Sequence, residues 1–597
     1  MCGIAGALSN EGPVEPEVLE RMCQTLRHRG PDSRGLFADD GVALGVQRLA
    51  VIDLEGGDQP ITSEDGSVVV VCNGEVYNYR ELREELIRGG HRFATRSDAE
   101  VIVHLYQELG ENCVDRLRGM FAFALWDRSA RQLVLARDRV GKKPLFYARR
   151  GEHLWFASEP RAILSTGDVA RDVDHGALDL FLHYQCVPAP RSAFAAIRKL
   201  PPAHVLTWHA GTVRMRRYWK LSYENRYAHL GEADACELIR DTLLEATRLR
   251  LRSDVPVGAL LSGGVDSSSV VAAMAQSTPE PVKAFSIGFE VADFDETASA
   301  RAVARRWGAE HHHLVLGPDA MDVLPRLVWH YGEPFADSSA LATMALAELA
   351  SRHVTVALNG DGGDESFAGY RRYLRFASAN GAEPHQEYAT RRATGYFDAA
   401  ARRELYAPEF RAGLGERRWL DVIAAPYLAS DADGVVERLL DVDVQTYLHD
   451  DLLVKMDIAT MAHSLEARSP LLDPAIMELA AGLPIEMKLD GATTKRVFKQ
   501  AVRGWLPEGL ADRPKMGFRV PLGDWLRGPL RDLPADVLLD PRALGRGLFR
   551  EERVRDIVAE HRDGTRDHTQ RIWTLIQLEL WFQTYVDRAR VDAPLAL

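Results

Sequence analysis

The sequence predicts an α+β front half, two sheets sandwiched by helices, followed by an α/β unit with a parallel sheet and a helical C-terminal part. Three observations predict it. Short apolar runs bounded by Gly, Asp or Asn recur up to about residue 210, strand and helix patterns alternate after about residue 231, and helical periodicity dominates from about residue 375. The chain has 597 residues; at roughly 150 residues per domain this calls for two or more domains.

In the front half, strands are expected at Val42–Val46, Val68–Cys72, Phe121–Trp126, Leu133–Ala136 and Leu154–Ala157. Pro16–Arg29 places Val18, Leu19, Met22 and Leu26 on one helical face, and Asp98–Leu109 does so with Val101, Ile102, Leu105 and Leu109. A proline-punctuated stretch, Cys186 to Pro190 and on to Pro202, reads as the approach to a domain boundary. Beyond Gly231 the pattern is a helix at Ala233–Arg252, a strand at Val257–Leu261 and a helix at Ser267–Gln276. A strand at Ala284–Phe289, a helix at Glu296–Trp307, a strand at His312–Leu316, a helix at Ala320–Trp329 and a strand at Val354–Leu358 follow. Such alternation is the signature of parallel βαβ units.

Composition excludes several classes. Hydrophobic residues make up 46% and charged residues 27%, proportions of an ordered globular protein. Lys and Arg total 73 against 86 Asp and Glu, a net charge of −13, and no dense basic run exists to bind nucleic acid. No apolar stretch nears the ~20 residues that span a bilayer, so no membrane role is expected. The start, Met1 to Gly6, lacks the basic flank and apolar core of a signal peptide. The six cysteines, at 2, 23, 72, 113, 186 and 236, form no CxxC pair and no disulfide framework, so a cytoplasmic protein with reduced thiols is expected.

Cys2 would become the N-terminus if Met1 were removed. Its α-amine, with a pKa of roughly 7.7–8.0, could then act as the base for its own thiol. Polar residues stand at the ends of apolar runs in Arg29-Gly30-Pro31-Asp32, Arg48-Leu49-Ala50-Val51-Ile52, Asn73-Gly74-Glu75 and Ser97-Asp98. Arg48 can grip a carboxylate through its planar fork, and Asp98 can hold an ammonium. The Asn73 amide and the Gly74 N–H can stabilise an oxyanion. Together these patterns resemble the class II glutamine amidotransferases, over residues 2–215. The resemblance implies an N-terminal nucleophile fold (an αββα sandwich) in which Cys2 attacks the side-chain amide of glutamine and releases ammonia. Leu49, Ala50, Val51, Ile52 and Glu75 then belong to the glutamine-binding set with Arg48, Asn73, Gly74 and Asp98.

The second constellation is Val257-Gly258-Ala259-Leu260-Leu261-Ser262-Gly263-Gly264-Val265-Asp266-Ser267-Ser268, a buried strand, a glycine turn and a helix start. Backbone N–H groups of such a turn and the helix N-terminus suit an anion. It is no Walker A loop, having neither that spacing nor its lysine. SGGVDS resembles the signature of PP-loop ATP pyrophosphatases. A second turn, Asn359-Gly360-Asp361-Gly362-Gly363-Asp364, ends a later strand, and both turns should face one crevice at the strand ends. Carboxylates beside a polyphosphate need a cation between them, so Mg²⁺ is expected at Asp266, and Asp364 is the matching carboxylate of the second turn.

The order of the two units resembles the glutamine-hydrolysing asparagine synthetase family over essentially the whole chain, with the synthetase unit spanning residues 232–597. Glu333 to Ala340, Met461 to Asp473, Thr493-Thr494-Lys495 and Lys515-Met516-Gly517-Phe518 agree with it. The resemblance implies that aspartate is adenylated by ATP and then amidated by ammonia. It places Leu261, Ser262, Gly263, Gly264, Asp266, Ser267, Ile287, Asn359 and Gly360 against ATP, Mg²⁺ on Asp266 and Asp364, and Lys495 against the developing phosphate charge. Asp361 stands where some members carry a glutamate that assists proton removal from ammonia, Asn359 where serine is commoner, and Ser469 where valine is commoner. A different acceptor carboxylate, served by the same machinery, is the alternative reading. A homodimer is one open assembly state. His311, His312 and His313 are read as structural, because neighbouring residues on a strand point to opposite faces.

Overall fold

The computed structural model describes residues 2–377, 383–414, 418–513, 517, 519–589, 591 and 593–595. Lys515, Met516 and Phe518 of the last quoted stretch lie outside the described residues.

The front half is two six-stranded antiparallel sheets stacked between helices. In the first, the strands run Ile197–Lys199, Phe146–Arg150, His153–Ala157, Cys2–Ser9, Val42–Arg48 and Ser33–Asp39 from edge to edge. The second runs Thr212–Arg217, His204–His209, Gln132–Arg137, Gly119–Asp127, Val68–Val76 and Ile61–Thr62. Alternation along each strand builds the layers. Ile4 and Leu8 face Val69 and Val71 in the core between the sheets. Ala5 and Ala7 point the other way, onto Leu19, Met22 and Leu26 of the helix Pro16–Thr25. Val68, Val70 and Cys72 likewise meet Val101, Ile102 and Leu105 of the helix Glu100–Leu109. Both faces of these strands are covered, which is why their sequences are continuously apolar.

The proline-punctuated stretch falls inside this half. Ile197–Lys199 closes the first sheet, and the hairpin from His204 to Arg217 closes the second. The helix at Glu232–Arg250 opens the next unit, whose five-stranded parallel sheet has the order Glu310–Leu316, Lys283–Phe289, Val257–Leu260, Val356–Leu358, Glu466–Arg468. The direction of winding reverses beside Val257–Leu260, and the crevice at such a switch point is where ligands bind in open α/β sheets. Two expected elements differ. The helix expected at Ala320–Trp329 is a 3₁₀ turn, Pro318–Val323, followed by an α-helix, Leu324–Tyr331. Pro325 has no N–H to donate and is tolerated only in a first turn. The helix expected from Asp98 begins at Glu100, because Asp98 accepts from the Val76 backbone N–H at 2.7 Å. The described helices then dominate from Gly363 to Tyr585.

Candidate active sites

Cys2 opens a central strand of the first sheet, directly opposite Arg48 in register. It is 4% exposed, and its backbone N–H donates to Asn73 Oδ1 at 3.2 Å. Burial pushes its thiol pKa up, partly offset by the Leu49 backbone amide and by the Arg48 charge. Asn73 is fully buried, and its Nδ2 finds no hydrogen-bond partner among the described residues. An unpartnered buried donor is costly, about 1–3 kcal/mol, and here it sits on the same amide that holds the cysteine backbone. That is the arrangement an oxyanion acceptor would satisfy. Gly74 lies at φ +152°, and a Cβ there would stand 2.0 Å from the Met120 carbonyl oxygen, so only glycine lets the two strands approach.

Asp98 is buried, and desolvation raises its pKa to about 6 despite the Val76 hydrogen bond. Glu75 is pushed well above the carboxylate range by burial and then by Asp98 and Glu466. Leu49, Val51 and Ile52 are buried in the loop after the Arg48 strand, and Ala50 N–H is held by Asp32 at 2.8 Å. Arg48 departs from expectation. Its Nη atoms are spent on the carbonyls of Ile52, Asp53 and Leu54 at 2.7–3.3 Å and on Asp58 at 3.0 Å. Four donations from the five-donor fork go to three loop carbonyls and to Asp58, so here Arg48 shapes the Leu49–Ile52 wall.

At the switch point, the strands Val257–Leu260 and Val356–Leu358 run side by side and deliver both glycine turns to one edge. The turns touch backbone to backbone: a Cβ on Gly360 would lie 2.6 Å from the Ser267 nitrogen. Ser267 Oγ accepts from Ser262 N–H at 3.2 Å and donates to the Gly264 carbonyl at 3.3 Å, closing the SGGVDS turn ahead of the helix Val265–Ala275. Leu261 N–H bonds the Phe285 carbonyl at 2.8 Å, which sets it beside the strand that carries Ile287. Asn359 N–H bonds the Arg468 carbonyl at 2.8 Å. Lys495, 5% exposed and in a left-handed conformation at φ +53°, pairs with Asp266 and, at 2.7 Å, with Asp364. Burial works against its charge, yet the two aspartates outweigh it and hold its pKa well above the lysine range. Two carboxylates converging on one cation form a hard-oxygen set that suits Mg²⁺ on a polyphosphate, which is commonly bound through one or two carboxylates plus phosphates.

A family model described as asparagine synthase matches residues 238–583, and one described as glutamine amidotransferase domain matches residues 1–219. Asparagine synthetase [glutamine-hydrolyzing] 1 of Bacillus subtilis is 32% identical over 98% of this chain and 97% of its own. The chain belongs to the glutamine-hydrolysing asparagine synthetase family. A putative asparagine synthetase of Mycobacterium tuberculosis is 33% identical over 99% of this chain and 98% of its own. A protein named amidase chry2, from Gibberella zeae, is 28% identical over 89% of this chain. Among solved structures, a glutamine phosphoribosylpyrophosphate amidotransferase from B. subtilis aligns at a TM-score of 0.29 with 16% identity, over 53% of this chain and 81% of its own. The protein is thus an ATP-dependent carbon–nitrogen ligase with glutamine as the amide donor.

Between its glutaminase and synthetase halves lie charged residues, some within the quoted motifs, to which the sequence assigns no contact across the halves. Arg29, fully buried, donates to the Cys2 carbonyl at 3.2 Å, to Glu159 at 3.1 Å and to Asp457 of the synthetase half at 2.8 Å. Lys143 reaches the same Asp457 at 3.1 Å. Arg468 binds Glu466 at 2.6 Å and the carbonyls of Arg250 and Arg252 at 2.7 Å, and lies 3.5 Å from Glu75. Arg118 and Arg250 share Asp473 at 2.7–3.0 Å, and Asp473 also caps the helix Pro474–Gly482. The signal for them was faint: Lys142-Lys143 beside a glycine reads as a solvated turn, and only the tertiary fold buries it. The three histidines divide as alternation demands. His311 bonds Ser286 Oγ at 2.9 Å, with His313 on its own face, while His312 stacks on Phe285.

Proposed function

We propose that this protein hydrolyses glutamine at Cys2 and uses the ammonia to amidate a carboxylic acid that it has adenylated with ATP, with aspartate as the acceptor. The observation that carries the reading is the pairing, in one chain, of a buried cysteine beside an Asn73 Nδ2 without a partner among the described residues, with two abutting glycine turns around Lys495, Asp266 and Asp364. Residues 2–215 supply the first reaction and residues 232–597 the second.

With Met1 removed, the Cys2 amine takes the thiol proton and the sulfur attacks the glutamine side-chain carbonyl carbon. Asn73 Nδ2 and the Gly74 N–H receive the oxyanion, and Asp98 pairs with the substrate ammonium. The C–N bond breaks, ammonia leaves with the proton returned by the amine, and water then cleaves the thioester to glutamate. At the second site the acceptor carboxylate attacks the α-phosphorus of ATP and pyrophosphate leaves. Leu261, Ile287, Asn359 and Gly360 flank the nucleotide while the SGGVDS amides face its phosphates. Asp266 and Asp364 would hold Mg²⁺, which supplies charge neutralisation on the departing pyrophosphate. Lys495 exchanges its aspartate partners for phosphate oxygens. Ammonia then attacks the acyl carbon, AMP leaves, and Asp361 takes a proton from the nitrogen.

ATP–pyrophosphate exchange across a panel of carboxylic acids tests the acceptor. The strongest exchange is expected with L-aspartate; silence with aspartate and a signal with another acid would transfer the same chemistry to that acid.

A further inference from the structure

Four side chains close a ring where the halves meet. Lys142, from the glutaminase half and 3% exposed, donates from Nζ to Ser469 Oγ at 2.7 Å. Ser469 Oγ donates to Asn359 Oδ1 at 2.5 Å, and Asn359 Nδ2 donates to Asp361 Oδ2 at 2.8 Å. Lys142 Nζ faces that same Asp361 oxygen at 3.6 Å. From the ammonium the donors run through hydroxyl and amide to the carboxylate, and the ammonium also faces that carboxylate directly.

The lysine is held from behind. Asp138 accepts from the backbone N–H groups of Val140, Lys142 and Lys143 at 2.9–3.2 Å, and Arg137 clasps the carbonyls of Gly141, Lys143 and Leu200 at 2.7–3.0 Å. A buried ammonium is expensive unless paired, so a loop built this firmly around one indicates a use for its charge. Valine at 469 could not pass the hydrogen bond on.

We propose that Lys142 is a positioning residue for amide formation, fixing the Asp361 carboxylate toward the arriving ammonia by an ion pair and through Ser469 and Asn359. The inference rests on the reading above that Asp361 accepts a proton at this step. As the C–N bond forms and the C–O bond to AMP breaks, one proton passes from nitrogen to Asp361. A shorter carboxylate than glutamate must be aimed to reach it, and the ring does the aiming. The two halves therefore share the final step.

The groups facing Lys142 are Asp361, Lys143, Asp457 and Asp138, with Lys455 facing Asp361 from the helix Leu453–Met461. Burial foremost pushes the Lys142 pKa down to about 8, so the ion pair weakens as pH rises through that value.

The test separates three activities of the full chain: glutaminase turnover, ATP–pyrophosphate exchange with L-aspartate or whichever panel acid exchanges best, and amide formation at a fixed concentration of unprotonated ammonia. In Lys142→Met, amide formation is expected to fall at least tenfold while glutaminase and exchange fall less than threefold. Ser469→Val should lose about fivefold in amide formation alone, and the double variant should lose less than the product of the two. Lys142→Arg should recover part of the rate and move the alkaline limb of amide formation above its wild-type position near pH 8. Amide formation within threefold of wild type in Lys142→Met overturns the proposal, as do parallel losses of all three activities in both Lys142→Met and Ser469→Val. A wild-type enzyme silent in exchange with every acid instead overturns the ligase reading on which the proposal stands.

Discussion

The two sites of this chain solve opposite electrostatic problems. The glutaminase site, sunk at the end of two abutting strands, takes a substrate without net charge. It is built around a donor, Asn73 Nδ2, that has no hydrogen-bond partner among the described residues. The synthetase site, at the edge of a parallel sheet, must take a polyanion, and its charges are bound to one another: Lys495 to Asp266 and Asp364, Lys142 to Asp361. A lone neutral donor can stand ready at a cost of about 1–3 kcal/mol, whereas an unpaired buried charge would cost several times more. Preorganisation in the first site is a waiting hydrogen bond; in the second it is a set of ion pairs that must change partners.

If the sites are separable in this way, Cys2→Ala should show the largest effect. Glutamine hydrolysis should fall by about 10³-fold or more, while amide formation with added ammonium stays within threefold of wild type. Loss of both would break the comparison. Next comes Lys495→Met, which leaves Asp266 and Asp364 facing each other. Pyrophosphate exchange should drop by about 10³-fold with glutaminase turnover unchanged, and excess Mg²⁺ should restore part of the loss by replacing the missing cation. Asn73→Ala should cost the glutaminase about 10²-fold in kcat, with KM for glutamine nearly constant, because the Nδ2 partner forms only as the oxyanion does; a rise in KM alone would mean that Asn73 merely binds substrate. The smallest effect is a pH limb. Asp98 must be ionised to hold an ammonium, and its pKa is raised to about 6 by burial. Glutaminase kcat/KM should therefore be full above that value and fall about tenfold per unit below it, a limb that ammonia-dependent synthesis should lack.

Much of this was legible in the sequence, and what was not has physical causes. The continuous apolar runs at Val42–Val46 and Val68–Cys72 announced strands covered on both faces, and the two glycine turns announced the crevice. The strand Glu466–Arg468 gave no such signal: it is fully buried, yet two of its three residues are charged and satisfy each other. Ile197–Lys199 at the sheet edge and Phe146–Arg150 beside it are short, partly exposed segments whose apolar content is slight. Arg48 was legible as a planar fork, but sequence carries no information on which of several oxygens a fork will choose. Arg29, Lys142 and Lys143 are buried by the other half of the chain, and periodicity within one segment cannot report on a neighbour 300 residues away.

Lys142 and Lys143 are adjacent in one loop, and they reach different destinations: Asp361 at the synthetase site, and Asp457, which Arg29 ties to the Cys2 carbonyl. The consequence concerns engineering. The halves look like cassettes, but a front half transplanted from a relative with apolar side chains at these two positions would arrive without the pins that seat it. Any chimaera should carry residues 137–145 with the C-terminal half it is meant to serve.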